Sequence, residues 1–194
     1  MKKPIFAFSA DTHLDINNWA KKPELRGDSM ASFSQLIDFC IDRKIPLILG
    51  GDIFDKQNPG PEVVQFFIKE ANRLKDSANQ TVYFVQGDHD KRTVPWCLLS
   101  PSTEWLDHKK VKIGKFKFYG LDFYPRSQIG EHLEDIPKDT DFLVTHLAWS
   151  DIQNIGATNA DISMILAECD ILAGDWHTHK IYESTNGAGK KIKA

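Results

Sequence analysis

The first half of the chain alternates between short apolar runs and longer amphipathic segments. Residues 5–10, 45–49 and 81–85 are apolar and β-prone, which predicts three buried strands. Between them, apolar residues recur at helical spacing, at Met30, Phe33, Ile37, Cys40 and Ile41 and then at Val64, Phe67, Ile68, Ala71 and Leu74. Asp28 or Ser29 is expected to cap the first helix, and Pro61 suits the first turn of the second.

The second half of the chain is less regular. Residues 111–113 and 116–121 flank Gly114-Lys115, which predicts a two-residue hairpin. Residues 142–145 and 171–173 are further short strands, and a helix is expected over residues 161–168. No repeat, low-complexity tract or linker divides the sequence, so residues 1–194 are predicted to form a single α/β domain.

The predicted strands end in polar clusters that are rich in Asp and His. The clusters are Asp11-Thr12-His13, Gly51-Asp52 with Asp55, Asp88-His89-Asp90, Thr145-His146 and Gly174-Asp175-Trp176-His177-Thr178-His179. Five of the seven histidines lie in these clusters. A helix cap or a turn explains any one cluster equally well, but it does not explain five of them at strand ends. In open α/β sheets, ligands bind beyond the carboxyl ends of the strands, where such side chains converge.

The chemistry of these clusters favours a pair of divalent metal ions. Carboxylate and neutral imidazole together suit manganese, iron or zinc, whereas a site made only of oxygen ligands would favour magnesium or calcium. Two metals about 3.5–4 Å apart can clamp both the attacking and the leaving oxygen of a phosphoryl displacement.

The order of the clusters resembles a known family. The series D-x-H, GD-x-x-D, GDHD, T-H and G-D-x-H-x-H is similar to the motifs of the calcineurin-like metallophosphoesterase superfamily, and it spans residues 11–179. Residues 11–14, 25–28 and 50–55 resemble the SbcD-type nuclease subunit of double-strand-break repair complexes. The resemblance implies a four-layer α/β/β/α sandwich with two mixed sheets.

The resemblance also implies a role for each matching residue. The ligands of the first metal would be Asp11, His13 and His179. Those of the second would be Asp88, His146 and His177. Asp52 would bridge both metals, which are expected to be manganese, with iron, zinc or magnesium as alternatives. A hydroxide made by the metals would be the nucleophile, and His89 would protonate the leaving oxygen or steady the phosphate. Asp55 and Asp90 would orient nearby histidines or the loop, unless they are simply solvated.

Two positions depart from the family pattern. Asp88 stands where the family carries Asn, and a carboxylate there should strengthen cation binding but weaken the pull of the metals on water and phosphate. Asp175 stands in a block where the nuclease branch more often has G-H-x-H. The sequence also lacks the capping domain and the helices that would dock a coiled-coil ATPase partner, so it is expected to be either a minimal catalytic core or a fragment.

Composition narrows the function classes only slightly. The 194 residues carry a formal net charge of −3, which argues weakly against a protein that coats nucleic acid through a basic field. Cys40, Cys97 and Cys169 are widely spaced, as expected for reduced thiols in a cytoplasmic protein without a membrane span. The resemblance makes a nuclease with DNA as substrate the leading hypothesis, and a homodimer is left open. The alternatives are a phosphoesterase for a cyclic nucleotide or nucleotide-lipid, and a weakly catalytic relative that binds nucleic acid or a partner.

Overall fold

The computed structural model describes residues 3–16, 22–25, 27–149, 160–175 and 180–194. The α-helices in these ranges are α1 (Asp28–Arg43), α2 (Pro61–Ala78) and α3 (Arg126–Glu134). The strands are β1 (Ala7–Ser9), β2 (Leu47–Gly50), β3 (Val82–Val85), β4 (Thr103–Trp105), β5 (Lys110–Ile113), β6 (Phe116–Leu121), β7 (Phe142–Thr145), β8 (Asp170–Ala173), β9 (Glu183–Thr185) and β10 (Lys191–Lys193).

Two four-stranded sheets form the centre of the fold. The first has the order β1-β2-β3-β4, and all its strands are parallel. The second has the order β5-β6-β7-β8; β5 and β6 are antiparallel around the predicted Gly114-Lys115 hairpin, and the other pairs are parallel. Only the second sheet is therefore mixed within the described ranges, whereas two mixed sheets were expected. The hairpin of β9 and β10 is a separate two-stranded sheet.

The side-chain alternation of the strands produces the predicted four layers. Leu47 and Leu49 of β2 pack with α1 and α2, whereas Ile48 between them packs with buried residues of the second sheet such as Phe118. Successive strand residues point to opposite faces, so this continuous apolar run is buried on both sides. The outer face of the second sheet packs against α3, for example through Leu133. The α/β prediction with helices outside two sheets is confirmed.

Both long helices begin close to where the sequence predicts. Helix α2 starts at Pro61, whose missing N–H costs nothing in a first helical turn. Helix α1 starts at Asp28, so its cap is Gly27 and not the predicted Asp28 or Ser29. Among the described residues, no helix is both long and apolar enough to cross a membrane.

The helix predicted over residues 161–168 is wrong. Only a single 3-10 turn forms there, at Ile162–Met164, with the Asp161 carboxylate accepting a hydrogen bond from the Ser163 N–H at its start. After that turn the helix does not continue. Ile165 is extended, and buried and exposed residues alternate, with Ile165 and Ala167 buried and Leu166 and Glu168 exposed. The carbonyls of Ile165 and Ala167 accept hydrogen bonds from Gly187 and Asn186, which replace the bonds of a helix.

Three further elements were not predicted, namely β4, α3 and the β9–β10 hairpin. All of these elements are short or mostly exposed. In α3, for example, the buried residues are only Ile129 and Leu133. Strand β1 is also shorter than the apolar run at 5–10, and it is half-buried because it lies at the edge of its sheet.

Candidate metal centre

The carboxyl ends of strands from both sheets converge on one set of Asp and His side chains. Donor atoms of Asp11, Asp52 and His146 lie within 4.8 Å of one another, and so do those of Asp52, Asp88 and His89. Two other groups meet the same limit: His13 with Asp55 and His89, and Asp88 with His146 and Asp175. The predicted residues that the structure brings together are Asp11, His13, Asp52, Asp88, His89 and His146. The predicted ligands His177 and His179 lie outside the described residues.

His146 faces this centre with one of its two ring nitrogens. The side chain is completely buried, and Nδ1 lies 2.8 Å from the carbonyl oxygen of Gly50, so we assign the ring proton to Nδ1. Nε2 is buried without a hydrogen-bond partner, 3.5 Å from Oδ1 of Asp52 and 3.6 Å from Oδ1 of Asp88. These distances are too long for hydrogen bonds. Donors that share one divalent cation at about 2.1 Å each are about 3 to 4 Å apart, so the arrangement fits a cation.

Asp52 offers one carboxylate oxygen to each side of the centre. Oδ1 lies near Nε2 of His146, whereas Oδ2 lies 3.5 Å from Nε2 of His13. Nδ1 of His13 is in turn 3.6 Å from Oδ1 of Asp55. Asp52 is therefore a buried carboxylate that lies between two imidazoles.

The backbone of the centre is held in an uncommon conformation. Asp11, His13, Asp52 and Asp175 all have positive φ, at 54°, 38°, 49° and 103°. Non-glycine residues rarely adopt this region, and such strain persists at functional sites where the surrounding structure imposes it. Gly51 is required beside them, because its φ is 89° and a Cβ there would lie 2.5 Å from Nδ1 of His146.

His89 is connected to the centre differently. Its N–H donates to Oδ1 of Asp52, and its Nδ1 lies 2.9 Å from the carbonyl oxygen of Asp55. The side chain is 46% exposed, unlike that of His146, and its Nε2 is 4.0 Å from Oδ2 of Asp52. The bond with the Asp55 carbonyl and the nearby carboxylates raise the pKa of His89. This accessible imidazole is suited to hold and donate a proton.

Asp90 fixes the loop that carries Asp88 and His89. Its carboxylate accepts hydrogen bonds from the N–H groups of Ile53 and Gly87, both at 2.6 Å. Burial, with a contribution from Asp52, raises the pKa of Asp90 to about 6. Asp90 therefore orients this loop and is not a solvated loop residue.

The electrostatics of the centre favour positive charge. Without a cation, burial lowers the pKa of His146, but the carboxylates of Asp52 and Asp88 outweigh this effect and raise it to about 11, so a cation at Nε2 would replace a second ring proton there. The contact with His146 lowers the pKa of Asp88. Burial, together with Asp88 and Asp11, raises the pKa of Asp175. Carboxylates from four strand ends thus surround one imidazole, and this set of donors is complementary to divalent cations.

Sequence reasoning did not assign Asp175 to the site. Its position directly after Gly174 at a strand end is the same signal that identified Asp52 after Gly51. The sequence also missed Asp122, a buried carboxylate that accepts a hydrogen bond from the N–H of Gln86 at the end of β3.

Two sheets between helical layers, with Asp and His at the carboxyl ends of the strands, define a phosphoesterase-type metal site. The chain belongs to the calcineurin-like phosphoesterase family, which residues 5–179 match. This confirms the family resemblance that the motifs predicted.

Similar proteins carry the name DNA double-strand break repair protein Mre11. The one from Halobacterium salinarum is 27% identical over 183 residues, which cover 88% of this chain and 46% of that protein. The one from Saccharolobus solfataricus is 35% identical over 125 residues, which cover 60% of this chain and 32% of that protein. The chain thus spans less than half the length of these relatives. Their names agree with the DNA repair branch that the sequence indicated.

Proposed function

We propose that this chain is a phosphodiesterase domain that uses two divalent cations, with manganese as the first choice, to hydrolyse phosphodiester bonds in DNA. The observation that carries the proposal is the buried Nε2 of His146, which has no hydrogen-bond partner and faces Asp11, Asp52 and Asp88. The names of its Mre11 relatives support DNA as the substrate. When bound, the cations would make a water acidic and neutralise charge on the phosphate.

Each proposed ligand among the described residues follows the end of a strand. The first cation would be held by Asp11, His13 and His179. The second would be held by Asp88, His146 and His177. Asp52 would serve both, in agreement with its oxygens lying near two different histidines.

His89 would act on the substrate. Its Nδ1 is engaged by the Asp55 carbonyl, while Nε2 belongs to a half-exposed ring at the edge of the centre. A raised pKa keeps a proton available on this ring, which could be passed to the leaving oxygen. Asp90 would keep the loop in place, and Asp52 would align the backbone of His89.

The cellular setting is also a proposal. Cys40, Cys97 and Cys169 are free and buried, which supports a reducing, cytoplasmic location. A homodimer and a coiled-coil ATPase partner remain predictions, as does the organisation of residues 1–194 as one catalytic domain.

A manganese-dependent cleavage assay tests the proposal. Chelator-treated protein is given Mn²⁺ and offered labelled DNA and a chromogenic bis-phosphodiester in parallel. We expect cleavage of both, loss of both in His146→Asn, and no change in Asp42→Asn, which alters an exposed carboxylate of α1. Cleavage of the small diester alone would favour a small-molecule phosphoesterase. Absence of both activities would favour a binding protein and contradict the proposal.

A further inference from the structure

We propose that Asp175 is a ligand of the second cation, together with Asp88 and His146, and that it makes this site selective for oxygen-preferring cations such as Mn²⁺ and Mg²⁺ over Zn²⁺. The inference rests on the metal centre of the proposed function and adds a ligand that the motifs did not assign.

The geometry places the Asp175 carboxylate at the cation position. A carboxylate oxygen of Asp175, one of Asp88 and a ring nitrogen of His146 all lie within 4.8 Å of one another. The second, independent observation is Nε2 of His146, which is buried and lacks a hydrogen-bond partner. Because Nδ1 of the same ring is engaged by Gly50, only Nε2 can point a lone pair into the group.

The backbone of Asp175 fixes the side chain in this position. Its N–H donates to both carboxylate oxygens of Asp11, at 3.0 and 3.2 Å. The residue before it, Gly174, packs so closely that a Cβ there would lie 2.6 Å from the carbonyl oxygen of Gly50. The φ of Asp175 is 103°, a conformation that glycine would adopt without strain. A carboxylate kept in spite of this strain indicates a use for the side chain.

The donor set decides which cation the site prefers. With Asp52 shared between the two cations, the second cation would meet carboxylates from Asp52, Asp88 and Asp175, the imidazole of His146 and, from outside the described residues, the imidazole of His177, so carboxylates would outnumber imidazoles. Carboxylate ligands suit Mg²⁺ and Mn²⁺, whereas additional imidazole shifts preference towards Zn²⁺. Asp88 and Asp175 both stand where the family pattern carries a neutral side chain, so the two departures act in the same direction.

Metal binding to chelator-treated protein tests the inference without measuring activity. Mn²⁺ stoichiometry and affinity are measured by calorimetry and by electron paramagnetic resonance for the wild type, Asp175→Asn, Asp175→His and His177→Ala, with Asp42→Asn as the charge-matched control. We expect Asp175→Asn to weaken one of two Mn²⁺ sites at least 10-fold, an effect no smaller than that of His177→Ala. Asp175→His should keep two sites and raise the ratio of Zn²⁺ to Mg²⁺ affinity at least 10-fold.

The melting temperature in chelator separates a ligand from a structural residue. Asp175→Asn removes a negative charge from a group of carboxylates, and Asn tolerates positive φ, so the metal-free variant should melt no lower than the wild type. A lower melting temperature, or two unchanged Mn²⁺ sites in Asp175→Asn, would overturn the inference and leave the proposed function standing. Failure of the wild type to bind Mn²⁺ at all would overturn both.

Discussion

His146 and His89 are the same residue type with opposite surroundings. The ring of His146 is fully buried and its Nδ1 is engaged by the Gly50 carbonyl, which leaves Nε2 for a cation. The ring of His89 is 46% exposed and its Nδ1 contacts the Asp55 carbonyl, which leaves Nε2 at the accessible edge of the centre. Burial thus divides two histidines at strand ends into a proposed ligand and a proposed acid.

This difference predicts different consequences for two substitutions. His89→Asn should keep both cations and lose about 10²–10⁴-fold in turnover, because a positioned general acid contributes on that order. His146→Asn should lose metal as well as activity. Metal content and turnover are measured on both variants, and equal depletion of metal would make His89 a ligand instead.

Asp88→Asn should leave the fold intact, because the two side chains have nearly the same volume. The carboxylate neutralises part of the positive charge that would stabilise the phosphate during transfer, and it repels the phosphate itself. We therefore expect the Asn variant to bind metal less tightly, cleave faster at saturating Mn²⁺ and reach its plateau at lower pH. Rates of both proteins are compared across pH at saturating metal. A slower Asn variant at every pH would show that Asp88 performs a step that an amide cannot.

The elements of the site meet at close-packed turns. The loop after β3 passes directly over Asp52, and a Cβ on Gly87 would overlap the Asp52 carboxylate and lie 2.5 Å from its backbone nitrogen. The position of the Asp52 carboxylate therefore depends on Gly87, a residue that has no side chain with which to bind a cation.

Gly87→Ala should displace either Asp52 or the β3 loop and abolish metal-induced stabilisation. The backbone of Gly87 does not have positive φ, so the clash is the only new cost. Gly60→Ala is the control, because a Cβ there meets only the flexible carboxylate of Glu62, at 3.2 Å. Thermal unfolding with and without Mn²⁺ is measured on both variants. A Gly87→Ala protein that Mn²⁺ stabilises as strongly as the control would refute this account.

Asp122 joins strand ends of both sheets. Lying just after β6, it accepts hydrogen bonds from Gln86 after β3, at 2.7 and 2.8 Å, and from the indole of Trp105 in β4, at 3.0 Å. Burial, with a contribution from Asp107, raises the pKa of Asp122 to about 6.

This raised pKa predicts a dependence of stability on pH. Since the folded pKa exceeds the usual value of 3.8, the folded chain binds the proton more tightly between about pH 4 and 6, and stability falls as pH rises through that window. The unfolding free energy of the wild type minus that of Asp122→Asn should therefore decrease by on the order of 2 kcal/mol between pH 4 and 7 and stay constant above pH 7. This difference is obtained from the unfolding free energies of both proteins, measured in chelator from pH 4 to 7.

Asp139→Asn is the control for this experiment. Hydrogen bonds from Lys110 and Lys117 lower the pKa of Asp139 to about 2, so its contribution to stability is lost only as pH falls through that value. The change in unfolding free energy caused by Asp139→Asn should therefore be constant from pH 4 to 7. An equally constant effect of Asp122→Asn would contradict the raised pKa.

For the molecule as a whole, acidic side chains at the carboxyl edges of both sheets gather in one centre that could hold divalent cations. Binding to the folded state alone adds about 2.7 kcal/mol per site at 100 times the dissociation constant. For a chain of this length, that corresponds to a rise in melting temperature of roughly 5–10 °C per site. Titrating Mn²⁺ into chelator-treated protein should produce this rise, and His146→Asn should reduce it. An unchanged melting temperature would exclude the two-metal site.

The sequence by itself determined the layers and most of the proposed donors. Continuous apolar runs such as 45–49 specify strands buried on both faces, and Asp or His directly after them must gather at the carboxyl edge. Helices α1 and α2 could be read in the same way, because each has a strong apolar stripe and a start signal.

The tertiary structure decided what local pattern cannot express. Residues 161–168 have the composition of a helix, but the β9–β10 hairpin supplies other hydrogen-bond partners, so only a 3-10 turn forms there. The inclusion of Asp175 in the centre and the separate roles of His146 and His89 depend on burial and on distances between residues far apart in sequence. Hydrogen-bond partners and solvent exposure are properties of the folded chain, because they arise only when distant strand ends are brought together.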